Sequence, residues 1–335
     1  MTPRPSPSPT LAEPLAVCAT PSPDAQFPPA STALARGLGM LAIVCSAACW
    51  GLATVATKGA LETLPPFFIL AVQLTASVSF LWTAVCLSGA SLRGVRGGGI
   101  ALSGLLEPGL AYGVGVPGLA LTSAANASVI STVEPALICA IAWLLLRDRP
   151  SRTVAAALVL AMAGVALVTV SGAEANWATD GSASAGGHLA GDALILLGTL
   201  FAALYVVVSS RLVGHLAPLP LAALQQSVGL AFALVLLLGV WTLGIETLPQ
   251  TLPLETLLLV AGSGIVQYAL AVWLYLTGLS VLPPAVAGLF LTLIPVFGVS
   301  GAMIFLGEAV APLQWVGGGL VILAVSAVIR GRRPA

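Results

Sequence analysis

The chain has 335 residues, of which 58% are hydrophobic and only 7% are charged, and its mean hydropathy is +1.06. Soluble domains carry roughly 25% charged residues, because their surfaces must face water. The 12 basic and 12 acidic residues balance, so the chain lacks the excess positive charge of nucleic-acid-binding proteins. These values exclude most soluble enzymes and nearly all nucleic-acid binders, and they predict a polytopic helical membrane protein.

Residues 1–35 differ in composition from the rest of the chain. They contain nine prolines, with Ser, Thr and Ala between them. Proline fixes φ and removes a backbone donor, which predicts a disordered, partly polyproline-II tail on the cytoplasmic side. The tail lacks the basic n-region and the continuous apolar h-region of a secretory signal. We therefore expect the first membrane helix to direct insertion.

From residue 36 onward the chain is a succession of apolar runs, each close to the ~20 residues that a helix needs to cross a bilayer. Ten runs are predicted: 37–58, 66–89, 99–121, 125–146, 152–171, 190–211, 219–243, 255–280, 285–306 and 312–330. Proline and glycine residues, such as Pro65 and Pro66, punctuate the breaks. The runs lack the alternation of β-barrel strands. We therefore expect an all-α integral membrane protein with ten transmembrane helices.

Basic residues predict the orientation of these helices, because short loops rich in Lys and Arg stay in the cytoplasm. With the N-terminus inside, 11 of the 12 basic residues fall on the cytoplasmic side, and only Lys58 falls toward the outside. An odd number of helices would put the arginine-rich C-terminal end outside, so the charge pattern favours an even number. Both termini are predicted to be cytoplasmic, with the protein in the plasma (inner) membrane.

The two halves of the chain resemble each other. Shifts of 153 and 160 residues superimpose similar residues, namely Lys58 on Arg211, Pro65 on Pro218, Gln73 on Gln226, Pro135 on Pro295 and Asp148 on Glu308. Two five-helix repeats are predicted at 36–171 and 190–330, joined by an extracytoplasmic linker at 172–189. Because five is odd, the second repeat enters the bilayer in the opposite orientation. Inverted repeats of this kind build many secondary transporters, whose sites lie between the halves.

Short motifs occur in a fixed order along nearly all of the chain after the tail. They are Trp50-Gly51, Lys58, Pro65-Pro66, Thr122-Ser123-Ala124, Pro135, Leu144-Leu145-Leu146, Gly191-Asp192, Tyr205, Arg211, Pro218, Pro295, Gly307-Glu308 and Gly317-Gly318. This order resembles EamA-type transporters of the drug/metabolite transporter superfamily, which have ten helices in two inverted repeats. Two positions depart from the family pattern: Gln73 stands where many members have Arg, and Arg147-Asp148 replaces the usual Gly-Glu. The first departure weakens any substrate inference from members that use that Arg.

Two carboxylates lie inside predicted spans, where an ionisable group costs about 2.5–3.5 kcal/mol on insertion scales and needs a partner or a purpose. Glu134 precedes Pro135 near the middle of one run, and Glu107 precedes Pro108 in the run before it. Counting along both helices from the turn between them predicts carboxylates roughly 7 Å apart in depth. They are candidates for binding a substrate cation or a coupling proton. The alternative is a packing role, with hydrogen bonds to Ser, Thr or backbone groups.

Polar and aromatic residues in other spans are further candidates for a substrate site. They are Gln73, Gln267, Tyr268, Trp273 and Tyr275, with Pro135 and Pro295 as helix breaks that supply flexible walls. Interhelical hydrogen bonds are the alternative for the glutamines, including Gln226. Interfacial anchoring is the alternative for aromatic residues such as Tyr112 and Tyr205, and it is preferred for Trp143 and Trp241. Lys58 is expected to pair with Glu62 or to guard the mouth of the site.

The resemblance implies a secondary transporter that exports small organic metabolites, such as amino acids or related compounds, by alternating access. An integral-membrane enzyme and a non-transporting scaffold are the alternatives. The sequence contains no Ser-His-Asp set, no cysteine-histidine cluster and no phosphate loop, so no catalytic residue, metal or cofactor is predicted. The G-x-G-x-x-G match at 113–118 lies within a membrane span and has no preceding strand. The predicted partners are a small-molecule substrate and the lipid bilayer, while the oligomeric state is not specified.

Overall fold

Helices account for most of the chain that the structure describes. The computed structural model describes residues 33–61, 63–92, 97–121, 130–131, 133–147, 149–176, 185–249, 251–301, 303–304 and 312–331. An apolar segment in a bilayer must satisfy its backbone hydrogen bonds internally, and a helix does so. No strand occurs within these ranges, and the predicted all-α class is confirmed. The proline-rich tail up to residue 32 and most of the predicted linker lie outside the described residues.

The first half of the chain forms six helices in its described part. They are α1 (Ala33–Leu61), α2 (Pro66–Ser88), α3 (Gly97–Gly104), α4 (Ala111–Leu121), α5 (Glu134–Ile141) and α6 (Arg152–Asn176). A π-helical stretch at Leu105–Leu110 joins α3 to α4, and a second at Ala142–Leu146 extends α5. The first stretch is kinked, because Glu107 within it has a non-helical backbone conformation.

The second half follows the same order. Its helices are α7 (Ala185–Leu212), α8 (Pro218–Thr242), α9 (Leu254–Gly264), α10 (Ala271–Leu279), α11 (Pro284–Leu291), α12 (Ile294–Gly301) and α13 (Pro312–Gly331). A π-helical stretch at Ile265–Leu270 joins α9 to α10. It lies 160 residues after the stretch that joins α3 to α4.

Proline sets the start of several helices. Pro66, Pro218, Pro284 and Pro312 are the first residues of α2, α8, α11 and α13. Proline suits the first helical position, because its fixed φ is helical and its missing N–H would have had no partner in the helix. The breaks that the sequence predicts at these prolines are therefore found where expected.

Seven helices in the described part are long and apolar enough to cross a membrane: Ala33–Ala53, Pro66–Ser88, Leu189–Leu212, Pro218–Thr242, Leu254–Leu279, Pro284–Gly301 and Pro312–Arg330. Three predicted spans are not among them. The runs 125–146 and 152–171 correspond to the shorter apolar stretches Glu134–Leu146 and Arg152–Leu167, and the run 99–121 is interrupted at Glu107. The count of ten spans stays a prediction.

Helix contacts occur in matching sets in the two halves. α1 packs against α10 as α7 packs against α4, and α2 packs against α9 as α8 packs against α3. α1 also contacts α11 and α12, and α7 contacts α5. Helices that hold the same place in each half contact each other directly: α2 with α8, α5 with α11, and α6 with α13.

The core lies where these helices meet, and it contains fully buried residues such as Ile43, Leu81, Ile138 and Phe290. Large apolar side chains such as Leu144 remain exposed on the outside of the helices. Lipid tails are as apolar as leucine, so such a surface suits a bilayer.

Candidate functional site

A cavity of about 570 Å³ lies among helices from both halves of the chain. Its volume falls within the range of ~300–1,000 Å³ that is typical of small-molecule sites. The polar and aromatic residues that line it are Trp50, Thr57, Gln73, Glu107, Tyr112, Glu134, Tyr205, Gln267, Tyr268 and Tyr275. Apolar side chains complete the wall and include those of Leu291 and Ile294, which flank the break between α11 and α12.

The backbone at Glu107 explains how this carboxylate reaches the cavity. Glu107 has an extended conformation (φ −147°, ψ 128°) inside the π-helical stretch, and it is followed by buried Pro108. Proline cannot donate a hydrogen bond and it disfavours a helical conformation at the residue before it. The Pro108 ring packs against Gly229 of α8, where a Cβ would overlap the ring. Glu107 itself remains half-buried, facing the cavity.

Glu134 reaches the cavity from the start of a helix. It is the first residue of α5, after a turn at Val133, and buried Pro135 follows it. A helix N-terminus carries partial positive charge that favours a carboxylate. Pro295 has the corresponding place in α12, which begins at Ile294 after a turn at residues 292–293. Each of the two prolines singled out in the sequence therefore lies in the first turn of a helix beside the cavity.

Gln73 is the centre of a cluster of hydrogen bonds on one side of the cavity. Its Nε2 donates to Thr57 Oγ1 at 2.8 Å and to Ser263 Oγ at 3.0 Å. Thr57 Oγ1 donates to Gln267 Oε1 at 3.3 Å, and Gln267 Nε2 donates to the Tyr268 hydroxyl at 3.5 Å. We call Gln73, Thr57, Ser263 and Gln267 the Gln73 cluster. It joins α1, α2, α9 and the stretch between α9 and α10.

A second cluster, which the sequence did not reveal, has the same form. Gln225 Nε2 donates to Ser103 Oγ and to Ser209 Oγ, both at 2.9 Å, and the Tyr205 hydroxyl donates to Gln225 Oε1 at 3.3 Å. We call Gln225, Ser103, Ser209 and Tyr205 the Gln225 cluster. It joins α8, α3 and α7, and of its four residues only Tyr205 lines the described part of the cavity.

These hydrogen bonds correct the sequence offset that relates the two halves of the chain. The sequence comparison matched Gln73 with Gln226, at 153 residues, but the equivalent hydrogen bonds belong to Gln225, at 152 residues. The starts of the two helices, Pro66 and Pro218, are also 152 residues apart. The sequence therefore contained the correct offset of 152 residues, because Pro66 rather than Pro65 is the equivalent of Pro218. The Gln226 side-chain oxygen is buried and has no hydrogen-bond partner among the described residues.

In each cluster a glycine allows the two helices that carry the serine and the glutamine to approach closely. A Cβ on Gly264 would lie 2.5 Å from the Gln73 carbonyl oxygen and 2.7 Å from Gln73 Cβ. A Cβ on Gly104 would overlap the Gln225 carbonyl oxygen. Real Cβ atoms do not approach a backbone this closely, so glycine is required at both helix contacts. Each glycine directly follows the serine of its cluster, which places the serine hydroxyl within reach of the glutamine.

Aromatic rings form two further parts of the wall. Tyr112 and Tyr268 meet edge to face, with ring centroids 5.6 Å apart and an interplanar angle of 76°. Trp50 and Tyr275 have centroids 5.6 Å apart and an angle of 60°. The Tyr275 side chain is fully buried, and its hydroxyl has no hydrogen-bond partner among the described residues. Such tilted pairs are favourable, because the ring edge is positive and the ring face negative.

The remaining candidates lie elsewhere. Trp273 does not line the described cavity and packs against the main core, because it lies two residues before Tyr275 and so on another face of α10. Trp143 and Trp241 are 55% and 51% exposed, as expected for interfacial anchors. The predicted contact between Lys58 and Glu62 lies outside the described side chains.

The charged residues in the described lining of the cavity are all acidic. Among its described lining residues two are acidic and none is Lys, Arg or His. No group of His, Cys, Asp or Glu suited to a metal ion occurs in the part of the chain that the structure describes. A second cavity, of about 530 Å³, lies between α2, α8 and α9 and is lined almost entirely by apolar side chains such as Phe68 and Leu234. It lacks the polar groups that would orient a substrate.

Comparison with known proteins agrees with this architecture. The chain is 24% identical over 218 residues to the uncharacterized transporter YetK of Bacillus subtilis (strain 168), a match that covers 65% of this chain and 63% of that protein. It thus spans less than two thirds of that relative. A crystal structure superimposes with a TM-score of 0.72 at 20% identity, covering 91% of this chain and all of the other, which shows a shared fold. The profile of the EamA-like transporter family matches residues 37–170 and again 189–330. The chain therefore belongs to the EamA-like transporter family.

Proposed function

We propose that the protein is a secondary transporter that exports a small organic metabolite, such as an amino acid or a related compound, by alternating access. The observation that carries the proposal is the cavity lined by both halves of the chain. Its lining residues occupy matching places: Glu107 and Gln267 are 160 residues apart, as are Glu134 and Ile294. A site between two repeats is common in secondary transporters, because rocking of one repeat against the other exposes the site to each side in turn.

The two repeats have opposite orientations in this proposal. The Phe67 N–H at the start of α2 donates to Glu246 Oε1, which follows α8, at 3.3 Å. The start of α2 therefore lies beside the end of α8, and these two helices hold the same place in their repeats. Antiparallel packing of equivalent helices supports inverted repeats, and the double match of the family profile supports the repeats themselves.

The two glutamine clusters are the gates of the transporter. Gln73 lies two turns from the Pro66 end of α2, and Gln225 lies two turns from the Pro218 end of α8. With inverted repeats, these ends face opposite sides of the membrane. The described cavity reaches Pro66 and includes Gln73, Thr57 and Gln267, whereas Gln225, Ser103 and Ser209 are fully buried. The hydrogen bonds of both clusters are formed in this conformation, and the cavity lies nearer the Pro66 end, which the arginine asymmetry predicts to be outside.

Transport requires the opposite arrangement as well. When the Gln225 cluster separates, the site opens toward the cytoplasm, while the Gln73 cluster keeps the hydrogen bonds that it makes here. The two carboxylates bind a cationic group of the substrate or a coupling proton, since each needs a positive partner in a low-dielectric site. The breaks at Pro135 and Pro295 let the walls move around them.

Counterflow into proteoliposomes tests the proposal. The purified full chain is reconstituted with unlabelled amino acids inside, and a labelled amino acid mixture is added outside. We expect the label to accumulate above its level in protein-free liposomes, and to do so equally with the control variant Glu255→Gln, whose carboxylate is exposed at the start of α9. Absence of counterflow for amino acids and for a wider metabolite mixture would overturn the transport function.

A further inference from the structure

We infer that the cavity selects organic cations, with a protonated amine between Glu107 and Glu134 and an apolar body against the aromatic rings. The inference rests on the proposed transport function for its biological role, but binding alone can test it. We expect the cavity to bind amines more tightly than the zwitterionic amino acids that have the same side chain.

The first argument is the distribution of charge. Both acidic residues come from the first half of the chain, and the residues 160 positions later are the neutral Gln267 and Ile294. The lining is therefore anionic at these two residues and uncharged at their equivalents in the second half. A ligand that matches it carries positive charge at one end and none at the other.

The second argument is the shortage of positive partners. The described lining contains no basic residue, and no ion pair joins Glu107 or Glu134 to another described residue. A buried carboxylate without a cation is costly, and two in one cavity also repel each other. An ammonium group has three donors and one charge, so it suits a position between two carboxylates. A carboxylate on the ligand would meet the same repulsion.

The third argument concerns the aromatic residues of the cavity wall. Tyr112 with Tyr268, and Trp50 with Tyr275, offer ring faces that attract a cation and pack against an apolar body. The fully buried Tyr275 hydroxyl, which has no partner among the described residues, is free to bond with a polar atom of the ligand. This orphan group in the wall is an independent sign that the cavity is built for a ligand.

Equilibrium binding of labelled 2-phenylethylamine to the purified full chain tests the inference. Competitors that share its phenylethyl group are its neutral N-acetyl derivative, the anion 3-phenylpropanoate and the zwitterion phenylalanine. We expect each of the three to compete at least roughly tenfold more weakly than unlabelled amine, about 1.4 kcal/mol. Binding of the amine by Glu107→Gln and Glu134→Gln should weaken by a similar factor.

Two variants serve as controls. Glu134→Asp keeps the charge and should retain much of the affinity that Glu134→Gln loses, and Glu255→Gln should bind as the wild type does. Elution in size-exclusion chromatography shows which variants are folded. If neither glutamine variant folds, the competition series on the wild-type protein still decides the question.

Equal competition by the neutral or anionic analogue, undiminished affinity of both folded glutamine variants, or no binding of the amine would overturn cation selection. Amino-acid counterflow without amine binding would overturn it while transport stands. Amine binding without counterflow of any metabolite would support cation selection while the transport function falls.

Discussion

At the scale of single residues, two acidic side chains distinguish the cavity. Glu107 follows a break in the helical backbone, and Glu134 begins a helix, so both leave the regular helical surface and reach the same space. Each precedes a proline, which accounts for the local irregularity. A packing role would not require both carboxylates in one cavity with aromatic walls.

The variant Glu134→Gln tests the role of the charge in transport without changing the packing that folding requires. The glutamine keeps the size and hydrogen bonding of the side chain but removes the titrating charge, so we expect loss of concentrative transport with an unchanged folded yield. If the two acids share one function, Glu107→Gln behaves alike and the double variant is no worse than either single. Uptake against a gradient, measured across a pH series in proteoliposomes, checks this.

Normal pH-dependent accumulation by Glu134→Gln would contradict a role of Glu134 in proton coupling or cation binding. Coupling through Glu107, or a uniport-like mechanism, would then remain. If Glu134 only packs, transport survives in Glu134→Gln, while Glu134→Ala leaves a void and lowers the melting temperature.

The Gln225 cluster allows a comparison of two adjacent residues. Gln225→Met removes three hydrogen bonds: Ser103 and Ser209 lose their donor and the Tyr205 hydroxyl loses its acceptor, so we expect a loss of about 1–3 kcal/mol in stability. Gln226→Met removes a buried oxygen that has no partner among the described residues, so its effect should be near zero or stabilising. Thermal unfolding in detergent, followed by tryptophan fluorescence, measures both. An equal or larger loss for Gln226→Met would contradict the assigned cluster.

At the scale of helices, close contacts position the site. α9 approaches α2 at Gly264, and α3 approaches α8 at Gly104, so that a serine and a glutamine meet across each contact. Small residues allow helices in a membrane to approach closely, where van der Waals packing and interhelical hydrogen bonds drive association. The same contacts fix the π-helical stretches that carry Glu107 and Gln267.

Gly264→Ala tests this contact, with Gly262→Ala as its control in the same helix. The added Cβ at position 264 would meet the Gln73 backbone, so we expect a loss of about 1–3 kcal/mol in stability and reduced transport. A Cβ at position 262 meets nothing within 4 Å, so alanine there should be neutral or stabilise by about 0.5–1 kcal/mol. Thermal unfolding distinguishes them, and equal melting temperatures would contradict the tight contact.

At the scale of the whole molecule, topology decides whether the two gates face opposite sides of the membrane. The arginine asymmetry predicts cytoplasmic termini and an extracytoplasmic linker between the repeats. The antiparallel packing of α2 and α8 supports the proposal that the halves enter the membrane in opposite directions.

Reporter fusions measure this topology directly. A reporter after Ala335 should be active only in the cytoplasm, and one inserted within residues 174–186 only outside, because an even number of spans returns the chain to its starting side. An outside location of the Ala335 reporter would remove the inverted repeats, and with them the assignment of gates to opposite sides.

The sequence by itself determined the fold class, the main helix boundaries and the family. Apolar runs of membrane-spanning length have to be helical, since no water is available to satisfy their backbone groups. Prolines such as Pro66 and Pro218 start helices because the first helical position needs no N–H. The two intramembrane acids were also recognisable, because a charge in an apolar run needs a purpose.

Only the tertiary structure decided which side chains meet. Neighbouring residues on a helix point about 100° apart, so a one-residue difference in register separates Gln225, which bonds with Ser103 and Ser209, from Gln226, which does not. The same geometry puts Tyr275 in the cavity wall and leaves Trp273 outside it, half-buried against the core. Composition cannot distinguish these neighbours, because the packing of the helices decides which face of each helix meets its partner. Close contacts at glycines such as Gly104 are part of that packing.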